Sequence, residues 1–387
     1  MNKFLIKHNS PQIDRSDLES LKRVFNNNNI LTNGPILNQF ENTVKSFINV
    51  KYAIACSSGT AALHLALLTI GLKKNDTVIM PGINFISSFN VCKNMGLKIY
   101  FADVDKNTGQ MKPEHVLSCI SKNKINRVKA IITMYMGGFP ENILEFYKLK
   151  KKLKCYLIED ACHAFGAEYN YNKKYFKIGS CKHSDICTFS FHPLKTITTG
   201  EGGLVSTNNR NFSRKIKLLR SHGIVKKKKY WDYDVILNGF NYRMSEFNAS
   251  IGLSQIKKVK KFLKIRERNH KILKVLLGNN SISFPNYNNL NKSANHLFLA
   301  SIRFKNKRYK DSFFKKLNEK RVEIHYHYNP IYKFSIYKNK NLKLKGCENY
   351  LNETFSLPLH GELSIKKIKY VVKNIKNWIY ENSNFIR

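Results

Sequence analysis

At 387 residues with 42% hydrophobic side chains, the chain carries enough apolar material for a large core and two domains, which excludes a disordered chain. The 67 basic against 26 acidic residues, formally +41, raise the question of a polyanionic partner, yet only 13 of the basic residues are arginine and none clusters with interleaved aromatics. Lysine spread over solvated faces fits better, so no specific nucleic-acid partner is expected, and without a run near 18 apolar residues or an apolar leader in MNKFLIKHNSPQIDRSDLES, neither is a membrane one. A cytoplasmic location is the resulting expectation.

Short apolar runs at 52–56, 77–80, 98–101, 130–135, 155–159, 186–191 and 203–207 read as strands. Several are continuously apolar, as in a sheet covered on both faces. Between the first two, Leu63, Ala66, Leu67 and Ile70 keep a helical period over 61–70. The alternation predicts an α/β fold with a mostly parallel sheet sandwiched by helices. Lysines Lys226 to Lys229 fall in a predicted loop. From Met244 to about Leu276, Leu253, Ile256, Val259 and Leu263 recur at helical spacing with lysines opposite, which predicts a long amphipathic helix. The remainder, from about Phe284, mixes strands and helices. The expected division is a large domain over 1–255 and a small C-terminal α+β domain over 256–387, joined by the long helix.

The eight cysteines contain no CxxC pair and lie mostly in apolar stretches, which favours free buried thiols. Cys181, His183, Cys187 and His192 match no zinc spacing, and no metal is expected.

Three segments carry candidate chemistry. In Cys56-Ser57-Ser58-Gly59-Thr60-Ala61-Ala62 a strand turns into a helix whose first N–H groups suit a phosphate, although the same residues also cap helices that bind nothing. In Leu157-Ile158-Glu159-Asp160-Ala161-Cys162-His163-Ala164 a strand ends in two acids. One could hold a ring nitrogen protonated, or Asp160 could cap a following helix. In the third, Lys195 stands on a turn between the apolar run ending at Ser190-Phe191 and the return Thr199-Gly200-Glu201-Gly202-Gly203. A lysine there, desolvated or beside another cation, becomes a nucleophile. A phosphate cradle, an acid and a lysine are the three handles that pyridoxal 5'-phosphate needs.

The runs SFHPLKTITTGEGG, SSGTAALHLALLTIGL, IEDACHAFGA and GFNYRMSEFNASIGLSQIKK resemble the DegT/StrS family of sugar aminotransferases, and the likeness extends from Leu31-Thr32-Asn33-Gly34-Pro35 to Phe355-Ser356-Leu357-Pro358-Leu359. The resemblance implies the fold-type I aminotransferase architecture, a pyridoxal phosphate cofactor and a homodimer with shared active sites. Carried over by motif, Lys195 is the Schiff-base lysine, Asp160 the partner of the pyridine nitrogen, and His163 the contact of the ring hydroxyl. Gly59, Thr60 and Ser190 hold the phosphate, joined by Asn241 from the other subunit, while Phe85 stacks on the ring. Thr32, His327 and Tyr328 fall near the sugar-nucleotide site. Within the family the likeness is greatest to the branch serving pseudaminic acid biosynthesis. That branch implies transfer of nitrogen from L-glutamate to C4 of a UDP-4-keto-6-deoxy-N-acetyl-hexosamine. A perosamine- or bacillosamine-type 4- or 3-aminotransferase is the alternative, and a nucleic-acid-binding regulator a more distant one. Lysine rather than histidine at 195 resembles the transaminases and not the sugar dehydratases of the family.

Overall fold

The computed structural model describes residues 5–26, 30–229, 231–278, 281–337 and 341–386. A seven-stranded sheet forms its centre, in the spatial order Tyr52–Cys56, Gly203–Thr207, Ile186–Ser190, Tyr156–Asp160, Ala130–Met134, Thr77–Pro81 and Lys98–Ala102. Only Gly203–Thr207 runs against its neighbours; the pairings from Ile186–Ser190 out to Lys98–Ala102 are all parallel. The seven strands read from sequence are thus present, with ends shifted by a residue.

Alternation along each strand divides the apolar side chains between two faces. Ile54, Val78, Ile132, Ile158, Ile186 and Val205 enter one cluster with the helix Gly59–Thr69. On the other side, Ala55, Phe189 and Leu204 pack with the helix Pro35–Ile48 and the start of the long helix, while Ile131 and Leu157 form a further cluster. The continuous apolar runs follow from burial on both faces.

The strand Tyr52–Cys56 is held by a buried ion pair. Glu41 Oε1 accepts from Arg220 Nη1 at 2.6 Å and from the Ala55 N–H at 2.9 Å, while Arg220 Nη1 also donates to the Ala55 carbonyl at 2.7 Å. The pair thereby bonds both backbone groups of Ala55, and these bonds offset part of the desolvation of the two charges, with Arg220 Nε left without a partner among the described residues.

The predicted amphipathic segment is one helix of 32 residues, Glu246–Leu277, capped by Ser245. At about 1.5 Å per residue it is roughly 48 Å long. Its first half, through Ala249, Ile256, Val259 and Phe262, packs on the sheet side, and Leu273 and Leu277 enter a separate C-terminal cluster. That cluster surrounds the antiparallel pair Phe298–Ser301 and Thr354–Leu357, and includes Phe313, Phe355 and Trp378. Ile6 belongs to it as well, because the N-terminal segment pairs in parallel with Val322. Leu359 N–H then donates to the His8 carbonyl at 3.1 Å, which carries the chain on toward the carboxyl ends of the sheet strands.

Two hairpins were not read from sequence. Glu168–Tyr171 pairs with Lys174–Lys177, and Ile224–Lys226 with Tyr233–Val235. Lys226 therefore ends a strand, and only Lys227 to Lys229 of the expected loop lie in the connection. All eight cysteines are free thiols, seven of them buried and Cys162 partly so.

Candidate active site

A cavity of about 410 Å³ opens beyond the carboxyl ends of the sheet strands, where open α/β sheets place their ligands. Gly59, Thr60, Phe85, Asp160, His163, Ser190, Lys195, His327 and Tyr328 all line it. Two candidates do not. Asn241 is exposed and bridges to Ser221; Thr32 is exposed and bridges to Ser245.

The strand pleat separates the two acids. Asp160 faces the cavity and is 3% exposed. Glu159 lies on the other face, accepting from Tyr135 Oη at 2.5 Å and from Ser184 Oγ at 2.8 Å. No helix follows Asp160, so it caps none; its Oδ1 accepts from the Cys162 N–H at 3.3 Å within a turn. Burial raises its pKa, against hydrogen bonds from Cys162 and the nearby Lys195 charge. A carboxyl group so placed is poorly solvated and gains most from a cationic N–H donor.

Burial lowers the pKa of Lys195; Cys162 and Asp160 oppose this, and the Arg266 cation adds to it. The neutral amine is the nucleophilic form. Its turn is locked on the following side. Thr199 N–H and Thr198 Oγ1 both donate to the Phe191 carbonyl at 3.0 Å, and Asn248 Nδ2 of the long helix donates to the Thr199 carbonyl at 2.6 Å. Gly200 supplies the positive φ of +79° that this return needs.

The proposed phosphate cradle is the start of the helix Gly59–Thr69. Ser58 caps it, with Oγ accepting from the Ala61 N–H at 3.1 Å. The N–H groups before Ala61 have no acceptor within the helix, and the helix dipole favours an anion there. Glycine is required at 59 by space. A Cβ there would stand 2.7 Å from Ser190 Cβ, so the helix start and the strand end approach too closely for any side chain.

Phe85 is 54% exposed at the cavity, its ring 5.7 Å from that of Tyr328. A large apolar ring left uncovered suits stacking on a flat ligand. His163 is 3% exposed; its Nε2 pairs with Tyr328 Oη at 2.9 Å, and its Nδ1 is buried without a hydrogen-bond partner among the described residues. Burial lowers the pKa of His163, His296 and His327 alike, which keeps the imidazoles neutral.

An underused buried carboxyl, an orphaned imidazole nitrogen, an open aromatic face, a helix start and a buried amine are the donor set that pyridoxal phosphate fits. Residues 11–376 match the DegT/DnrJ/EryC1/StrS aminotransferase family. The chain belongs to that family. It is an enzyme, an aminotransferase, and pyridoxal phosphate is its cofactor. It is 35% identical over 370 residues to the UDP-4-amino-4,6-dideoxy-N-acetyl-beta-L-altrosamine transaminase of Campylobacter jejuni subsp. jejuni serotype O:23/36 (strain 81-176), covering 95% of this chain and 96% of that one. The GDP-perosamine synthase of Escherichia coli O157:H7 is 31% identical over 369 residues, covering 95% and 97%. Among solved structures, an aminotransferase of Helicobacter pylori involved in the biosynthesis of pseudoaminic acid superposes with a TM-score of 0.87 at 27% identity, covering 97% of this chain and 99% of that one. The fold is therefore that of the fold-type I aminotransferases.

The aminotransferase lines its cavity with further residues that sequence reasoning missed: His8, Asn9, Asn84, Cys162, Glu201 and His296. Cys162 and Glu201 stood inside the motifs quoted for other residues. His8 and Asn9 had no local signal, since their place depends on the pairing of Ile6 with Val322.

Proposed function

We propose that this aminotransferase moves an amino group from L-glutamate to C4 of a UDP-4-keto-6-deoxy-N-acetyl-hexosamine, as in the pathway to pseudaminic acid. What carries the chemistry is the meeting of Lys195, Asp160, His163, Ser190 and the Gly59–Thr60 helix start in one cavity. What favours the substrate is the 35% identity over 95% of the chain to an altrosamine transaminase. Lys195 holds the cofactor covalently, Asp160 pairs with its ring nitrogen, and His163 meets its ring hydroxyl. Gly59, Thr60 and Ser190 bind the phosphate, and Phe85 stacks on the ring.

The cofactor supplies an electron sink for the carbon that carries the amino group. Lys195 Nζ, kept neutral by burial, takes the proton from Cα of glutamate and, in the reverse half, returns one to C4 of the sugar. Asp160, as the anion, favours a protonated nitrogen opposite it. The nitrogen lost by glutamate leaves 2-oxoglutarate, so the exchange balances. His327 and Tyr328 line the same cavity, and in this reading they meet the sugar. Thr32 belongs near the same substrate in an assembled enzyme.

The working form in this reading is a cytoplasmic homodimer. Asn241 lies outside the cavity of its own chain, and the family resemblance implies that Asn241 of the partner subunit completes the phosphate site. In this reading residues 1–255 form the large cofactor-binding domain and 256–387 the small one, joined by Glu246–Leu277, although Ile256, Val259 and Phe262 still pack on the sheet side and Ile6 packs in the small domain's cluster. Among the described residues no helix is long and apolar enough to cross a membrane.

Incubation with L-glutamate and a panel of nucleotide keto-sugars tests the reading. The expected result is a UDP-4-amino sugar with matching 2-oxoglutarate. The 31% identity to a GDP-perosamine synthase makes GDP-linked keto-sugars the necessary comparison. Preferential amination of one of those, or nitrogen at C3, would overturn the substrate assignment.

A further inference from the structure

We propose that Asn9 is a positioning residue for Lys195: it holds the turn that carries the amine and ties it to a buried guanidinium, Arg266. The inference rests on the reading of Lys195 as the cofactor lysine.

Lys195 closes a tight turn, its N–H donating to the His192 carbonyl at 2.9 Å. The preceding Leu194 is 41% exposed, so its side chain anchors little. Its carbonyl is the anchor, accepting from Asn9 Nδ2 at 2.7 Å across 185 residues of sequence. Asn9 Oδ1 in turn accepts from the Ser10 N–H at 2.9 Å and from Arg266 Nη2 at 3.2 Å. These partners fix the orientation of the amide. Turned over, it would set its NH2 against two donors and its oxygen against a carbonyl.

Arg266 is 2% exposed on the long helix. Its hydrogen-bond acceptors among the described residues are all carbonyl oxygens: Asn9 Oδ1 and the backbone of Asn295, His296 and Leu359. Without a carboxylate beside it, its charge acts on the surroundings largely unneutralised. The groups coupled to the Lys195 amine are Asp160 and Cys162, which favour its charged form, and Arg266, which opposes it; the neutral His163, His296 and His327 surround them. Among the described residues, Asn9 is thus the one side chain that bonds both the lysine's turn and the opposing cation. It does so from the N-terminal segment, which the pairing of Ile6 with Val322 delivers.

Asn9→Asp keeps both acceptor contacts, loses the donor to Leu194 and neutralises Arg266. Asn9→Ala removes all three contacts. In holoenzyme titrated spectroscopically, Asn9→Asp should raise the pH midpoint of the cofactor's visible absorption by about half a unit or more. In both variants kcat should fall about tenfold with KM changed less than about twofold, because the loss is one of geometry. An unchanged midpoint in Asn9→Asp, together with kcat within about twofold of wild type, would overturn the proposal. If Asn9→Ala does not fold, Asn9→Asp decides alone, since it leaves Arg266 and Ser10 satisfied. Persistence in Lys195→Ala of the Schiff-base band, as distinct from the absorption of aldehyde held only through its phosphate, refutes the lysine assignment and the proposal with it. A band that disappears there while Asn9→Asp behaves as wild type refutes only the role of Asn9.

Discussion

Replacing Gly59 by alanine adds one methyl group at the narrowest point of the candidate phosphate site. That carbon would meet Ser190 Cβ at 2.7 Å, its Oγ at 3.1 Å and its Cα at 3.3 Å. Ser190 ends a strand paired on both sides, and Gly59 opens a helix packed on that sheet, so neither retreats without moving an element. Overpacking of this kind costs about 1–3 kcal/mol. If the empty site relaxes and binding must restore the original approach, the whole cost falls on the cofactor, a loss of about 5- to 150-fold in affinity. If it does not relax, the cost lowers the stability of the apoenzyme instead. Helix preference works the other way, since alanine exceeds glycine by up to about 1 kcal/mol. The two effects therefore differ in sign. The assay is titration of Lys195→Ala apoprotein with pyridoxal phosphate, with and without Gly59→Ala, alongside Tm for each form; the lysine variant limits binding to non-covalent contacts. Cofactor Kd within about twofold together with an equal or higher Tm would refute the steric argument for glycine at 59.

Lys195→Ala alone should abolish turnover while cofactor stays bound through the phosphate site; transamination near the wild-type rate would overturn its assignment. Inactive Lys195→Ala and Asn241→Ala subunits, mixed and refolded together, should recover activity if each site borrows Asn241 of the partner subunit, and no recovery would refute the sharing. Glu41→Gln leaves the Arg220 charge buried without its partner, so thermal or urea unfolding should show a loss of about 3–5 kcal/mol; a loss under about 1 kcal/mol would mean the pair is not needed. Lys310 is buried with its amine on the Leu351 and Thr354 carbonyls, and burial lowers its pKa to about 7 from the ordinary 10.5. Between those values the unfolded chain binds the extra proton, so this group makes stability rise with pH from about 7 toward 10.5. Lys310→Met should flatten that slope of Tm against pH relative to wild type, and equal slopes would refute the shift.

Much of the fold was legible because burial on both sheet faces leaves a plain mark: the runs at 130–134 and 186–190 are apolar or small at nearly every position. The long helix was legible through its period. The hairpin around Asn172 was not, because only Tyr169 and Phe176 pack inward while its other positions are polar or exposed, with tyrosines and lysines instead of an alternating apolar pattern. Its one signal was the turn itself. Asn172 and Lys173 both have positive φ, 50° and 61°, as two-residue hairpin turns require, and asparagine tolerates that well. For the site, the three motif segments meet as read because each sits at a strand end on one edge of the sheet, and the pleat explains why Asp160 enters the cavity while Glu159 leaves it. His8, Asn9 and His296 could not be found that way. Their positions come from contacts across the whole chain, which no local window records.

The excess of lysine hides the basic residues that matter, yet burial separates them. Among 67 lysines and arginines, Lys310, Arg220 and Arg266 are buried, and each has a defined set of acceptors. Arginine holds both of the latter places, where one guanidinium must bond several oxygens at once. Arg220 joins a carboxylate to a strand carbonyl, and Arg266 gathers carbonyls from three separate segments. At Arg266, where two nitrogens divide those bonds, an ammonium could not span the directions; at Arg220 a single nitrogen, Nη1, makes both. Lys195 occupies the opposite situation: partly exposed, with burial of its amine and a nearby guanidinium lowering its pKa. A guanidinium stays charged at any working pH, whereas an amine can be brought to neutrality by its surroundings. In the proposed reading the chemistry needs lysine at 195 and arginine at 266, and exchanging the two residue types should abolish activity even though the net charge is unchanged.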